Sequence, residues 1–147
     1  MANGERNDPF RGYNFRLEID GTSEAVTAFR EASGLVFTID PIEYREGTDV
    51  PMHPRKLTGL RKYQNIMLKR GITQNQELWV WYSNSVTGPA DRRSGAVVLL
   101  DESHDDVVRW NFSEGWVCKW EGPSMNATQN EVAIESIEIC VEHVAVV

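Results

Sequence analysis

Three histidines, two cysteines and 22 carboxylates are the side chains of this 147-residue chain that could do chemistry. Their spacing gathers few of them. His53, His104 and His143 stand far apart, and none has a second histidine or a cysteine at the short intervals that hold a metal. His104, followed by Asp105 and Asp106, is the one acid–base cluster, and a small hydrolase could use such a histidine as general base. The same three residues sit in the polar run 101–106 between two apolar runs, which reads more simply as a solvated turn. His53, between Met52 and Pro54, reads as an exposed or interface histidine. A calcium loop over 101–106 would need a fixed glycine and a closing glutamate, and both are missing. No nucleophile elbow occurs and no glycine-rich phosphate loop precedes a helix. Trp110, Trp116 and Trp120 could form a stacking platform, the basis of a rival reading as a monomeric β-barrel module for a ligand or glycan. The expectation is a non-enzyme with no catalytic residue, no cofactor and no metal.

The totals narrow the class. At 41% hydrophobic residues the chain suits one domain, 1–147, with a real core. Cys118 and Cys140 each lie in apolar, strand-like text and read as free thiols. The net charge of -7 works against direct nucleic-acid binding. The start lacks the apolar core of a secretory signal, and the longest apolar run, Ala96 to Leu100, is far short of the roughly 20 residues a membrane helix needs. A soluble chain made in the cytoplasm is expected, with no membrane insertion.

The elements that must position these residues are mostly strands. Residues 1–9 form a polar arm. Tyr13, Phe15, Leu17 and Ile19 then alternate with polar residues until Asp20-Gly21 turns the chain. Two extended pieces over 26–39 meet at Ser33-Gly34, Asp40-Pro41 interrupts, and Ile42 to Arg45 leads into a long polar loop, 46–58, with two prolines. Long loops in small domains usually have a task, so this one is the first candidate contact surface. Tyr63 to Arg70 reads as a strand. Thr73 with Gln76 predicts a capped helix over 74–84, whose Leu78, Trp81 and Tyr82 form a core-facing stripe. Ala96 to Leu100 predicts a strand buried on both faces, paired with Val107 to Phe112. Glu114-Gly115 is expected to break the next run, in which Trp116, Cys118 and Trp120 share a face. In a final extended segment, 131–147, Ile137, Ile139 and Val141 share one parity and Val132 and Ile134 the other, and a bulge near Glu135-Ser136 would reconcile the two halves. The sum, about eight strands and one helix, predicts a mainly β protein, a curved sandwich or barrel with the helix over one opening.

Several stretches, in order, resemble the inner tube subunits of contractile injection systems, relatives of phage tail tubes and of the type VI secretion tube. They are 8–21 (from Asp8-Pro9-Phe10-Arg11 to Asp20-Gly21), Glu31-Ala32-Ser33-Gly34-Leu35, Tyr44-Arg45-Glu46-Gly47, Lys56-Leu57-Thr58-Gly59-Leu60, Lys62-Tyr63-Gln64-Asn65-Ile66, Leu68-Lys69-Arg70-Gly71, Trp110-Asn111-Phe112, 122–127 and 130–135. That family often carries proline where Thr58 stands.

The resemblance implies a structural subunit of hexameric rings, whose sheets join into a barrel wall around a lumen. Rings stack into a rigid tube that sheath contraction drives outward to deliver cargo. It implies as partners other copies of the chain, sheath, baseplate or spike and tube-terminating proteins, with protein cargo in the lumen. Assembly in a bacterial cytoplasm, then residence in a phage-tail-like particle, follows. The ring-stacking loop would be Tyr44, Arg45, Glu46, Gly47, Thr48, Asp49, Met52, His53, Arg55 and Lys56. The arm Asp8, Pro9, Phe10 and Arg11 would pack on a neighbouring subunit. The basic residues Arg55, Lys56, Arg61, Lys62, Lys69 and Arg70 concentrate positive charge in one third of an acidic chain, where they could meet the acidic surface of another copy.

Overall fold

The computed structural model describes residues 9, 12, 14–21, 29–72, 76–128 and 132–147; Asp8, Phe10, Arg11, Tyr13 and Thr73 lie outside them. Among the described residues there are nine strands and one helix. In chain order they are β1 (Phe15–Ile19), β2 (Glu31–Ser33), β3 (Phe37–Tyr44), β4 (Arg55–Tyr63), β5 (Ile66–Gly71), α1 (Glu77–Thr87), β6 (Arg93–Leu100), β7 (Asp106–Glu121), β8 (Ile134–Cys140) and β9 (His143–Val146). Seven strands form one antiparallel sheet in the order β1-β6-β7-β8-β5-β2, with β9 beside β7, and β3 and β4 form a separate ribbon.

The alternation in the sequence dictates how this sheet curls. Leu17 from β1, Leu68 from β5, Val97 from β6, Phe112 and Val117 from β7 and Ile137 and Ile139 from β8 meet in one core, together with Leu78 and Trp81 of α1. Side chains from both ends of the strand order can meet only if the sheet wraps over them, with α1 closing the opening. Strand β6 is apolar on both faces, as its sequence predicts. Val97 enters the main core while Ala96, Val98 and Leu100 form a second cluster on the opposite face. Over that face lie Arg16, Glu18, Asp106 and Arg109. Arg16 bridges Glu18 at 2.9 Å and Asp106 at 2.7 Å, and Arg109 also binds Glu18. The arginine stems cover apolar surface while their heads stay wet.

Several boundaries differ from the sequence reading. The helix is Glu77–Thr87, not 74–84; its N-cap is Gln76, without a side-chain capping bond. Its end is set by Gly88-Pro89, because a residue before proline is driven out of the α region, and Gly88 is extended. Asp40-Pro41 does not interrupt β3; the register shifts there, and the extra residue of β4 falls at Gly59-Leu60. The loop predicted over 46–58 is shorter, since Arg55 to Thr58 pair with Tyr44 to Pro41. The strand read over Tyr63 to Arg70 splits at Gln64-Asn65 into the end of β4 and β5.

Glu114-Gly115 does not end β7. Glu114 takes a left-handed conformation (φ 55), and the strand bends from partners β6 and β9 to partner β8. A second bulge at Cys118 flips parity, so Val117 and Trp120 face the core opposite Ile139 and Ile137, and Trp116 does not share a face with Trp120. No bulge occurs at Glu135-Ser136: β8 pairs with β5 in unbroken register, so Ile134 lies on the face opposite Ile137 and Ile139, and Val132 is exposed outside the strand.

Candidate assembly surfaces

The turn joining β3 to β4 is built around one carboxylate. Asp49, with its side chain only 10% exposed, accepts from Arg55 at 2.7 Å and from the Glu46 amide at 3.0 Å. Arg45 spans the other side, donating to the carbonyls of Pro51 (3.2 Å) and Asp49 (3.1 Å). Tyr44 donates to Glu46 at 2.9 Å. Gly47 and Thr48 form the exposed turn between them, and His53 is exposed. These bonds fix a loop whose outward side chains are apolar: Val50 is 92% and Met52 87% exposed. A turn with this many charge-assisted bonds is ordered before it meets anything.

The ribbon behind the turn is exposed in an unusual way. Phe37 and Ile39 fall on one face and Ile42 and Tyr44, two register positions beyond the bulge, on the other; all four are at least two-fifths exposed, as are Leu57 and Leu60. Isolated single apolar residues at a surface need no explanation, but a contiguous set marks a contact site. A two-stranded ribbon alone is also marginal in water. Its root is held by aromatic contacts, Phe37 to Tyr63 at 5.8 Å and Tyr63 to His143 at 5.4 Å between centroids. From 37 to 63 the chain carries five basic and four acidic side chains, so the ribbon is slightly positive on a molecule of net charge -7.

The main sheet also has open edges. Among the described residues β1 pairs only with β6, β2 only with β5, and β9 only with β7. Such edges are templates for pairing with another chain.

A family model, the T4-like virus tail tube protein gp19, matches residues 11–145. The chain belongs to the T4-like virus tail tube protein family. It is a structural subunit of an inner tube. The chain is similar to a solved chain of the sheath–tube complex of PVC, an extracellular contractile injection system in its extended state, at 26% identity and TM-score 0.81, over 94% of this chain and 90% of that one. A chain from the tube-terminating cap of the anti-feeding prophage is similar at 26% identity and TM-score 0.84, over 97% and 93%. Hcp1 from Flavobacterium johnsoniae shares the fold, at 17% identity and TM-score 0.58, over 91% and 94%. No curated protein sequence matches.

In this tail tube subunit the candidates for chemistry take the following places. His104 has φ 62 within a turn organised by Asp101, whose carboxylate accepts from the amides of Ser103 and Asp105, both at 2.9 Å. His143 packs its ring on Tyr63 at the ribbon root. No group of three or more metal-ligating side chains occurs among the described residues. No helix among them is long and apolar enough to cross a membrane. The three tryptophans of the rival platform do not assemble as one: Trp110 and Trp120 pack against the core, and Trp120 meets Trp79 edge-on at 5.2 Å. Cys118 and Cys140 are free and half-buried; burial first, then Glu138 and Cys140, push the Cys118 thiol up.

Of the predicted loop residues, the structure brings Tyr44, Arg45, Glu46, Asp49, Met52 and Arg55 together around the turn. Lys56 lies in β4 opposite Glu43. Of the arm, Pro9 is described and exposed. What the sequence reading missed is the apolar set Phe37, Ile39, Ile42, Val50, Leu57 and Leu60. The signal was present, since apolar residues fall on both parities of a stretch without core partners, but a proline and a glycine in that stretch masked two paired strands.

Proposed function

We propose that this tail tube subunit forms hexameric rings that stack into a rigid conduit, and that the β3–β4 ribbon is the element that joins one ring to the next. The observation that carries this reading is a preordered turn presenting Val50 and Met52 at the end of a ribbon with exposed apolar residues on both faces. Burying such a ribbon against a second copy gains hydrophobic free energy without ordering a loop first. Open edges β1, β2 and β9 supply further backbone pairing for copies side by side, and a closed ring would use every edge. The arm Asp8, Pro9, Phe10 and Arg11 packs on a neighbouring subunit.

The action is mechanical. The tube is driven outward by a contracting sheath and delivers protein cargo; the subunit makes no covalent bonds, needs no cofactor, does not insert in a membrane and reads no nucleic-acid sequence. Sheath, baseplate or spike and terminator proteins are its partners, in keeping with the assemblies that contain its structural neighbours. It assembles in a bacterial cytoplasm and ends in a phage-tail-like particle that can leave the cell.

Size-exclusion chromatography with negative-stain microscopy tests this. Rings or tubes are expected, and a species eluting at the single-chain mass at high concentration would instead favour the ligand-binding module. Deleting residues 48 to 54 should leave rings and shorten or abolish tubes; unchanged tube length would refute the ribbon's role.

A further inference from the structure

The tip of the β3–β4 ribbon carries a thioether beside the cation that orders its turn. Met52 is 87% exposed, and its sulfur lies 4.0 Å from Nη2 of Arg45. The same nitrogen donates to the Asp49 carbonyl at 3.1 Å, while Nε of Arg45 donates to the Pro51 carbonyl at 3.2 Å. Whatever changes the sulfur is therefore felt by the bonds that shape the turn.

A thioether reacts with peroxides through its lone pair and needs no deprotonation, so exposure decides which methionine is oxidised. Of the three described methionines, Met52 and Met125 (84%) are open, and Met67 in β5 is 40% exposed. Met125 stands in the loop after β7, outside the ribbon. Exposure puts Met52 and Met125 on an equal footing, and position separates them: Met52 alone stands where a second copy is to be met.

Resting on the ring-joining role proposed for the ribbon, we infer that Met52 is a modification site at which oxidation by a peroxide stops tube growth. The step is a two-electron oxygen transfer. The Met52 sulfur attacks one oxygen of hydrogen peroxide and the O–O bond breaks. The departing hydroxide takes the proton of the transferred oxygen and leaves as water, so sulfur is oxidised to the sulfoxide and peroxide is reduced. An apolar tip becomes polar and is costly to bury against a second copy. The new oxygen is also a strong acceptor within reach of Arg45 Nη2, where it competes with the Asp49 carbonyl and loosens the turn that presents Val50. Both effects act before stacking, because a tip buried in the next ring is closed to peroxide. Oxidation thus takes free subunits out of growth and spares finished tube, and thiol-dependent sulfoxide reductases, one for each sulfoxide epimer, return them.

The full chain is treated with hydrogen peroxide either before assembly or as finished tubes, quenched with catalase, and followed by peptide mass spectrometry and negative-stain microscopy. Treated before assembly, Met52 and Met125 should both gain one oxygen, and rings should form without elongating. Met52→Leu should elongate with or without peroxide, whereas Met125→Leu should stay sensitive. Because Met52→Leu keeps Cys118 and Cys140, its resistance separates the methionine from the thiols. Tubes of untreated length from chains fully oxidised at Met52, or equal shortening in Met52→Leu, would overturn the inference. Should Met52→Leu itself fail to elongate, oxidised Met125→Leu is treated with both sulfoxide reductases and dithiothreitol: tubes should return, and their failure to return once Met52 is reduced refutes it. In finished tubes Met125 should gain oxygen and Met52 should not. Equal oxidation of Met52 in tubes and in free chains would instead sink the ring-joining role of the ribbon, a failure distinct from that of the modification site.

Discussion

At the scale of single residues, two kinds of side chain matter most: those that hold a shape for a partner and those that let strands approach. Asp49 is the first kind. Asp49→Ala removes the acceptor shared by Arg55 and the Glu46 amide, and because the turn lies outside the core, the midpoint of thermal unfolding should fall little while tube elongation, measured in micrographs, falls strongly. Gly95 and Gly115 are the second kind. The Phe112 ring lies over both: a Cβ on Gly95 would meet it at 2.6 Å and one on Gly115 at 2.9 Å, and the Gly95 Cβ would also strike the Glu18 carbonyl oxygen. Gly95→Ala should therefore destabilise by about 1–3 kcal/mol, as overpacking does, read from the urea midpoint. Arg70 shows how a charge is kept inside a β protein. It is 4% exposed, bound to Glu135 at 2.7 Å, with its guanidinium 6.0 Å from the Phe29 ring centre, so a carboxylate and an aromatic face share in holding the buried cation.

At the scale of elements, α1 is a lid fixed by three groups. Leu78 and Trp81 are fully buried, and the Trp81 indole donates to the Asp91 carbonyl at 2.7 Å. Leu78→Ala should cost about 2–5 kcal/mol by opening a cavity under the helix, seen as a lower urea midpoint and weaker helical circular dichroism. The β1–β6–β7 face and the loop after α1 carry the acid sensitivity. Hydrogen bonds from Arg109, then Arg16, hold the Glu18 carboxyl below its ordinary range; Arg93, then Asn84, do the same for Asp91. A carboxylate whose folded pKa is depressed contributes stability in full above its unfolded value, about 4, and loses it as pH falls through the folded value. The urea midpoint should hold from neutrality to about pH 5 and fall below about pH 4. Arg109→Ala together with Arg93→Ala should flatten that fall; an unchanged profile would assign the acid loss to other carboxylates.

At the scale of the whole molecule, the chain is a curled sheet with a complete core and a projecting ribbon that has none. That contrast predicts two levels of stability: amide exchange should be slow in β5, β6 and β8 in every state, but slow in β3 and β4 only once rings have stacked. Exchange in the ribbon that is already slow in a single chain would show that it needs no partner. The sequence by itself determined the parts whose outcome depends on near neighbours. Alternation at 15–19 and 137–141 gave core strands, the run 96–100 gave a strand buried twice, and the stripe Leu78, Trp81, Tyr82 gave the inner side of the helix. It also determined the family, through motifs ordered along nearly the whole chain, and with it the tube. Only the tertiary structure decided what depends on residues far apart. Bulges at Gly59-Leu60, Glu114 and Cys118 flip parity against a partner strand that the text does not name. Pro41 is tolerated because its missing amide falls at one of those irregularities in a ribbon with an open side. The same distant pairing decides which edges are left unpaired, since an edge is a property of the strand that is not there, and no local pattern of residues records it.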